Sequence, residues 1–405
     1  MYREKAIAPP VPTSPLPGVI PVLVPDESVQ PVDTTAATPA AEPGPGLGTG
    51  LGVGLSARLH ANPFPVYKDL TSKLISTTSM PDPVVSHVLA VTAAYAYSDA
   101  ATESMMVARM GLTGNHCMTV SQRVDAMFVN SSAHVIQSSD GSVVILAYRG
   151  TPPSQTFDWL TDEDVYPAQI AIPFPGSDLT YAIHAGFYRN VLSTRYEVVT
   201  ALTRALEGRS VLADGSPEDE QLPNGGLMPG PMKALYITGH SLGGAMAALL
   251  TVMLAIEPVY SEVFRSVLRG AYTFGQPMVG SPSFAAACNG DPFLRSNLVR
   301  YVYRKDPVPS LPPRETDPFA HFGQEFRYSE QFLWADHSDH PVKQIGIGQG
   351  LLEAPLGFLA QQFRQLRRLP FQFSFYDHSP ANYISSLTPP GMGNELGDKY
   401  LVPGN

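Results

Sequence analysis

Apolar residues recur along this chain in two rhythms, and the switches between them predict its elements. Val84, Val85, Val88, Leu89, Val91, Tyr95 and Ala96 follow helical spacing. Asp82-Pro83 stands before them as a cap with proline in the first turn, so a helix is expected there. Residues 105–110 keep helical character, and Gly111 can end it. The period then shortens. Residues 126–129 and 133–136 read as strands, Ser139-Asp140-Gly141-Ser142 as a hairpin turn, and 143–148 as a continuous apolar strand near the middle of a sheet. Strand character returns at 170–174 and 181–184, and 187–206 reads as an amphipathic helix. An acidic, Pro/Gly-rich stretch over 208–231 is expected as a surface excursion. Beyond it come a strand (234–238), a helix (from 244) and further strands (271–275 and 298–303). Strands alternating with helices predict an α/β fold. Its sheet should be mostly parallel, covered on both faces, with antiparallel pairing near its start.

Residues 1–60 break both rhythms. Proline, alanine, glycine and threonine dominate them, and such a stretch buries too little apolar surface to offset its ordering entropy. A disordered arm is expected over 1–60, with one domain over 61–405 carrying insertions near 208–231 and 330–370. The 405 residues are 44% hydrophobic, enough for a sizeable core. The formal net charge is -10, which argues against nucleic acid as a partner. Cys117 and Cys288 read as two lone core thiols, not a disulfide framework. No apolar run follows the charged start, so no signal peptide is evident, and the cytoplasm is favoured over secretion. The longest apolar run, 245–256, is too short to span a bilayer and suits a buried helix. No cofactor or metal motif is visible. His337 and His340 lie close together but lack the helical spacing of a ligand pair.

The chemistry centres on Gly239-His240-Ser241-Leu242-Gly243. A strand before this G-x-S-x-G and a helix after it place Ser241 on a strained turn, with its hydroxyl presented to substrate. The N–H of Leu242 would face a developing oxyanion at the positive end of the helix. Such a serine needs a base, and the base an orienting carboxylate. Downstream, Asp306 follows the strand over 298–303 and precedes Pro307. Asp291 and Asp317 lie in loops with no strand directly before them. Among the later histidines, His378 follows apolar 371–375 near the chain end. His337 and His340 sit in a polar stretch, and His321 reads as structural. Asp377 adjoins His378 and competes with Asp306 to orient it, but the chain order favours Asp306.

Seven motifs in order resemble the class 3 lipases, the family of fungal triacylglycerol lipases and their bacterial and plant relatives. They are Tyr148-Arg149-Gly150-Thr151, Asp158-Trp159-Leu160-Thr161-Asp162, His184-Ala185-Gly186-Phe187 and Gly239-His240-Ser241-Leu242-Gly243-Gly244. Then come the run over 272–280, Asp306-Pro307-Val308-Pro309 with Leu311-Pro312-Pro313, and Asp377-His378. Met278 stands where the family usually has arginine. The resemblance covers roughly residues 80–385. It implies an α/β-hydrolase fold, with Ser241 as nucleophile, Asp306 as orienting acid, His378 as base, and Thr151 and Leu242 as oxyanion donors. It also implies hydrolysis of acylglycerol esters without a cofactor. A phospholipase A1, a galactolipase or a feruloyl esterase would use the same residues, and a non-catalytic lipase-like interaction protein is the remaining class.

In the family the segment after the oxyanion loop is a lid. Here that is 152–159, with Pro152 and Pro153 stiffening it and Trp159 either facing the acyl chain or packing in the core. A second cover is expected over 351–369, where Leu352, Leu356, Leu359, Phe363 and Leu366 share helical spacing among Arg364, Arg367 and Arg368. Such a helix either packs on the domain or touches a lipid–water interface.

Overall fold

In the computed structural model of the chain, the described residues are 2–7, 65–78, 80–127, 129–150, 167–175, 179–315, 317–329, 333–345 and 374–389. They form a nine-stranded sheet in the order β1-β2-β3-β4-β7-β8-β9-β10-β11, with a separate two-stranded ribbon β5-β6. The strands are β1 (Tyr2–Ile7), β2 (His116–Val124), β3 (Val129–Gln137), β4 (Val143–Tyr148), β5 (Pro167–Ala171), β6 (Thr180–His184), β7 (Ala234–His240), β8 (Leu268–Phe274), β9 (Leu298–Tyr303), β10 (Gln324–Tyr328) and β11 (Trp334–Asp336). The first four pair antiparallel. From β4 through β7, β8, β9 and β10 the pairing is parallel, and β11 returns antiparallel. This is the mostly parallel sheet with an antiparallel start that the alternation of elements predicts.

Two expectations need correction. The arm over 1–60 contains a strand: Tyr2–Ile7 pairs with β2, Tyr2 opposite Ser121 and Ile7 opposite His116. A composition argument weighs burial, whereas an edge strand is recruited by the unpaired backbone groups of its neighbour. Residues 8–60 lie outside the described set. Of the strand expected over 126–129, Ala126 and Met127 lie in a short 3-10 turn, Asp125–Met127, and Val129 opens β3. The pairing partner is His116–Val124, whose polar Thr119, Ser121 and Gln122 hide a strand pattern from an apolar search.

The alternation along β4 and β7 shows why the sheet is covered twice. Val144, Leu146, Leu235 and Ile237 join one core cluster. Val143, Ile145, Ala234 and Tyr236 join the cluster on the opposite face. Successive side chains point to opposite faces, so a strand apolar at every position must be packed on both sides. The first cluster includes residues of the helix Ala185–Leu206 and of the helix Leu242–Ile256. The second includes residues of Pro83–Tyr95, Ala100–Met110 and the C-terminal helix Pro380–Leu387. Helix Pro83–Tyr95 starts as read: the Asp82 carboxylate accepts from the N–H of Val84 (3.0 Å) and of Val85 (3.1 Å), with Pro83 in the first turn.

Every residue of Leu242–Ile256 is buried. Among the described residues no single helix is long and apolar enough to cross a membrane. Each leucine there contributes about 2 kcal/mol on leaving water, which anchors the helix against the sheet whatever its start does. That anchoring matters at its first turn.

Candidate active site

Strand β7 ends at His240 and the helix begins at Leu242, leaving one residue to turn the chain. Ser241 does so at φ 59°, ψ −130°, a conformation that disfavours a side chain. Its N–H donates to the Phe274 carbonyl at the end of β8 (2.9 Å), which fixes the turn to the neighbouring strand. Two glycines make the crossing possible. A Cβ on Gly239 would lie 2.3 Å from the Gly243 carbonyl, and one on Gly243 would lie 2.2 Å from the Tyr148 carbonyl oxygen. The spacing of glycines around Ser241 is therefore steric. Leu242 opens the helix, and an N–H there has no partner within the helix, so it is free for an anion.

Asp306 leaves the end of β9 and is buried. Its backbone N–H donates to the Tyr303 carbonyl (2.9 Å), and its Oδ1 accepts from the Val308 N–H (2.9 Å). His378 sits at the end of a 3-10 turn, Phe375–His378. Its Nδ1–H donates to Asp306 Oδ2 at 2.9 Å. The two residues are 72 positions apart, and the structure joins the pair that the strand-end and chain-order criteria select. His378 Nε2 is buried and has no hydrogen-bond partner among the described residues. Ser241 Oγ therefore does not bond to it in this state, a geometry that often tightens only when substrate binds.

Ser241 and His378 are linked through His240, the last residue of β7. His240 Nε2 faces the carbonyl oxygen of His378 at 2.8 Å, so that nitrogen carries the proton and donates it. Its Nδ1 then accepts from the Tyr97 hydroxyl at 3.0 Å. The rings of His240 and His378 lie 4.5 Å apart. Burial, and then the charge of His378, hold the His240 imidazole well below its ordinary pKa, so it stays neutral. It packs behind the elbow and ties down the backbone of His378.

Three residues here escaped the sequence reading. Tyr383 donates from its hydroxyl to Asp306 Oδ2 (2.6 Å) and accepts from the Tyr303 N–H (3.1 Å). Tyr97 supports His240. Gly275, at φ 59°, lies under the acid and base: a Cβ there would meet Asp306 Oδ2 at 2.8 Å and His378 Nδ1 at 2.9 Å. Gly275 stood in a quoted motif, but neither tyrosine carries any local signal.

The other candidates have different work. His321 donates from Nε2 to the Pro309 carbonyl (2.7 Å), and burial lowers its pKa to about 3, consistent with a neutral structural residue. Asp291 caps the helix Pro292–Asn297 through the N–H of Phe293 (2.9 Å) and Leu294 (3.0 Å). The His337 N–H donates to Glu325 on β10 and the His340 carbonyl accepts from Arg327, so both belong to that edge of the sheet. His184 stacks on Phe187 with ring centroids 3.8 Å apart at the start of helix Ala185–Leu206. Met278 is buried and donates its N–H to the Leu311 carbonyl (2.8 Å). Asp377 is buried too, and burial raises its carboxyl to a pKa of about 6. Cys117 and Cys288 are both buried. Thr151, Pro152, Pro153, Trp159 and Phe363 lie outside the described residues. The root of the Thr151 loop is described: Gly150 abuts both the Tyr97 hydroxyl and the His240 carbonyl, where a Cβ would approach to 2.3 and 2.5 Å.

A mostly parallel sheet with helices on both faces, carrying a strained serine between a central strand and a buried helix, is an α/β-hydrolase fold. Residues 145–316 match the family model of the class 3 lipases, a family within the α/β-hydrolase superfamily. The matched span holds Ser241 and Asp306 and ends before His378. Among curated proteins, the triacylglycerol lipase OBL1 of Ricinus communis is 27% identical over 299 residues, covering 64% of this chain and 55% of that protein. Phospholipase A1-II 1 of Oryza sativa subsp. indica is 30% identical over 182 residues, covering 42% of this chain and 39% of that protein. The chain thus spans about half the length of the curated relatives it matches. Among solved structures, the lipase of Rhizopus microsporus var. chinensis aligns at 18% identity and a TM-score of 0.46, covering 79% of this chain and 94% of that one.

Proposed function

We propose that this chain hydrolyses carboxylic esters of acylglycerols through an acyl-enzyme on Ser241. The observation that carries the reading is the buried His378–Asp306 pair, packed through His240 against a serine held at φ 59°. His378 Nε2 takes the Ser241 proton as Oγ attacks the ester carbonyl. Asp306 holds Nδ1–H and stabilises the imidazolium that forms. The N–H of Leu242, with Thr151 as the second donor that the family resemblance implies, receives the oxyanion, and loss of one such donor costs about 10²–10³ in rate. His378 then protonates the leaving alcohol, and water repeats the sequence to release the fatty acid. The family match and the relative named as a triacylglycerol lipase favour acylglycerols as the substrate class.

Ser241→Ala should abolish turnover of a short p-nitrophenyl ester and labelling by a fluorophosphonate, with the fold unchanged by circular dichroism. Near wild-type turnover would rule out this site. A relative named as a phospholipase A1 motivates a second arm with diacyl phospholipids, read by which acyl chain is released. Contact with a lipid–water interface belongs to the same reading through residues 351–369. A jump in rate above substrate solubility that disappears in Phe363→Glu would support it, and a jump unaffected by that change would not.

A further inference from the structure

Among the described residues, His378 has no strand of its own. Asp306 extends directly from β9 and Ser241 directly from β7, but His378 ends a turn of four residues that lies outside the sheet. Something must align that turn with the acid. Two hydrogen bonds join the turn to Lys305, the residue before Asp306. The Ser374 N–H donates to the Lys305 carbonyl (3.0 Å), and the Lys305 N–H donates to Asp377 Oδ2 (3.1 Å). A third closes the turn itself, from the Asp377 N–H to the Ser374 carbonyl (3.0 Å). Lys305 presents its N–H because Arg304 before it adopts φ 42°, a left-handed conformation that costs a non-glycine residue about 1 kcal/mol.

We propose that Asp377 is a positioning residue: its carboxylate latches the turn that carries His378 to the turn that carries Asp306, and so keeps the base in register with its acid. The proposal rests on the hydrolase reading of those residues. His240 holds the opposite side of the turn through the His378 carbonyl, so the base is clamped between two side chains of different chemistry. His240 is a neutral donor, and Asp377 is an acceptor whose strength depends on its charge. A carboxylate accepts from a backbone N–H roughly twice as strongly as a neutral oxygen does.

The groups around this carboxyl set when it is charged. Burial is the largest influence and opposes ionisation. The Lys305 N–H, and the positive charges of Arg304 and Lys305, favour ionisation, while the negative charge of Asp306 opposes it. From neighbouring elements the hydroxyls of Tyr303 and Tyr383 feel the same charge and stay protonated. The balance leaves Asp377 titrating at about 6, so the latch is at full strength above that pH and weakens below it.

The test compares wild type, Asp377→Asn and Asp377→Ala, with Ser241→Ala as the inactive control. Steady-state kinetics on a soluble ester are measured from pH 5 to 9, and hydrogen exchange is followed at the Lys305 amide. Asp377→Ala should lose about 10²-fold in kcat, the scale on which small misplacements act, with KM nearly unchanged. Asp377→Asn keeps an acceptor without the charge. It should recover part of that loss at pH 8 and show a shallower acidic limb than wild type. Protection of the Lys305 amide at pH 8 should fall from wild type to Asn to Ala. Wild-type kcat and wild-type protection in Asp377→Ala would overturn the proposal. Equal losses in Ala and Asn with an unchanged acidic limb would also overturn it, since they would mark packing alone. If wild type shows no Ser241-dependent turnover, the esterase reading fails by itself, and the order of amide protection still decides the latch.

Discussion

The elbow and the base turn reach the same site by opposite means. Around Ser241 the backbone does the work: β7 lies between two parallel neighbours, the helix behind it is buried throughout, and Gly239 and Gly243 stand where backbones meet closely. Around His378 the described residues form no ladder. The turn is held by separate hydrogen bonds with His240, Asp306, Lys305 and the helix Pro380–Leu387, whose Asn382 side chain donates to the Tyr376 carbonyl (2.6 Å). The first arrangement is rigid because many contacts would have to fail together. The second is adjustable, and each of its contacts is separately exposed to mutation or pH. The contrast teaches that the nucleophile is fixed by the fold, while the alignment of the base is set by side chains.

Mutations that separate the two regions should differ in kind. The largest expected effect is on chemistry without folding. Asp306→Asn should leave the elbow intact and cut kcat by about 10⁴-fold, because the imidazole loses its orienting acceptor. Steady-state kinetics beside an unchanged circular dichroism spectrum checks this. Next, Gly243→Ala should act on folding, since its Cβ would meet the Tyr148 carbonyl oxygen at 2.2 Å with backbone on both sides. A loss of about 3 kcal/mol is expected in urea unfolding. If Gly243→Ala instead kept full stability and lost only activity, the claim that the elbow is backbone-determined would break. Tyr383→Phe removes a buried donor to the Asp306 carboxylate and should cost about 2 kcal/mol, shared between stability and kcat.

The smallest effect concerns pH. The folded pKa of Asp377 is raised to about 6, above the ordinary carboxylate value, so the folded chain holds this proton more tightly than the unfolded chain. The stability this contributes is complete below the unfolded value and is lost as pH rises through about 6. Asp377→Asn should therefore raise the Tm at pH 8, and the gain should vanish near pH 4. A variant more stable than wild type yet slower would sharpen the comparison, because it would show the base turn keeping a costly charge for alignment.

Much of this was legible in the residues. Strands that must be apolar on both faces declare themselves, and β4, β7 and β9 were found from their runs. The N-terminal helix cap at Asp82-Pro83 and the stop at Gly111 were legible because capping chemistry is local. The strand β2 was not, since its polar residues dilute the apolar run. Nor was β1, whose place depends on a free edge that appears only once the sheet is built. Within the site, Ser241, Asp306 and His378 could be selected by order and by position at strand ends. Tyr97 and Tyr383 could not: they meet His240 and Asp306 across 143 and 77 residues, and nothing in their neighbours anticipates it.

The sequence by itself determined the α/β alternation, the glycines of the elbow and the ordered set of serine, acid and base. Each of these is written in local steric rules or in chain order. Only the tertiary structure decided that His240 donates to the base's own carbonyl, that Gly275 gives the acid and base room to meet, and that Asp377 reaches Lys305 and leaves Asp306 to His378. Those are distances between residues far apart in the chain, fixed by how two cores pack on one sheet, and no local pattern encodes them.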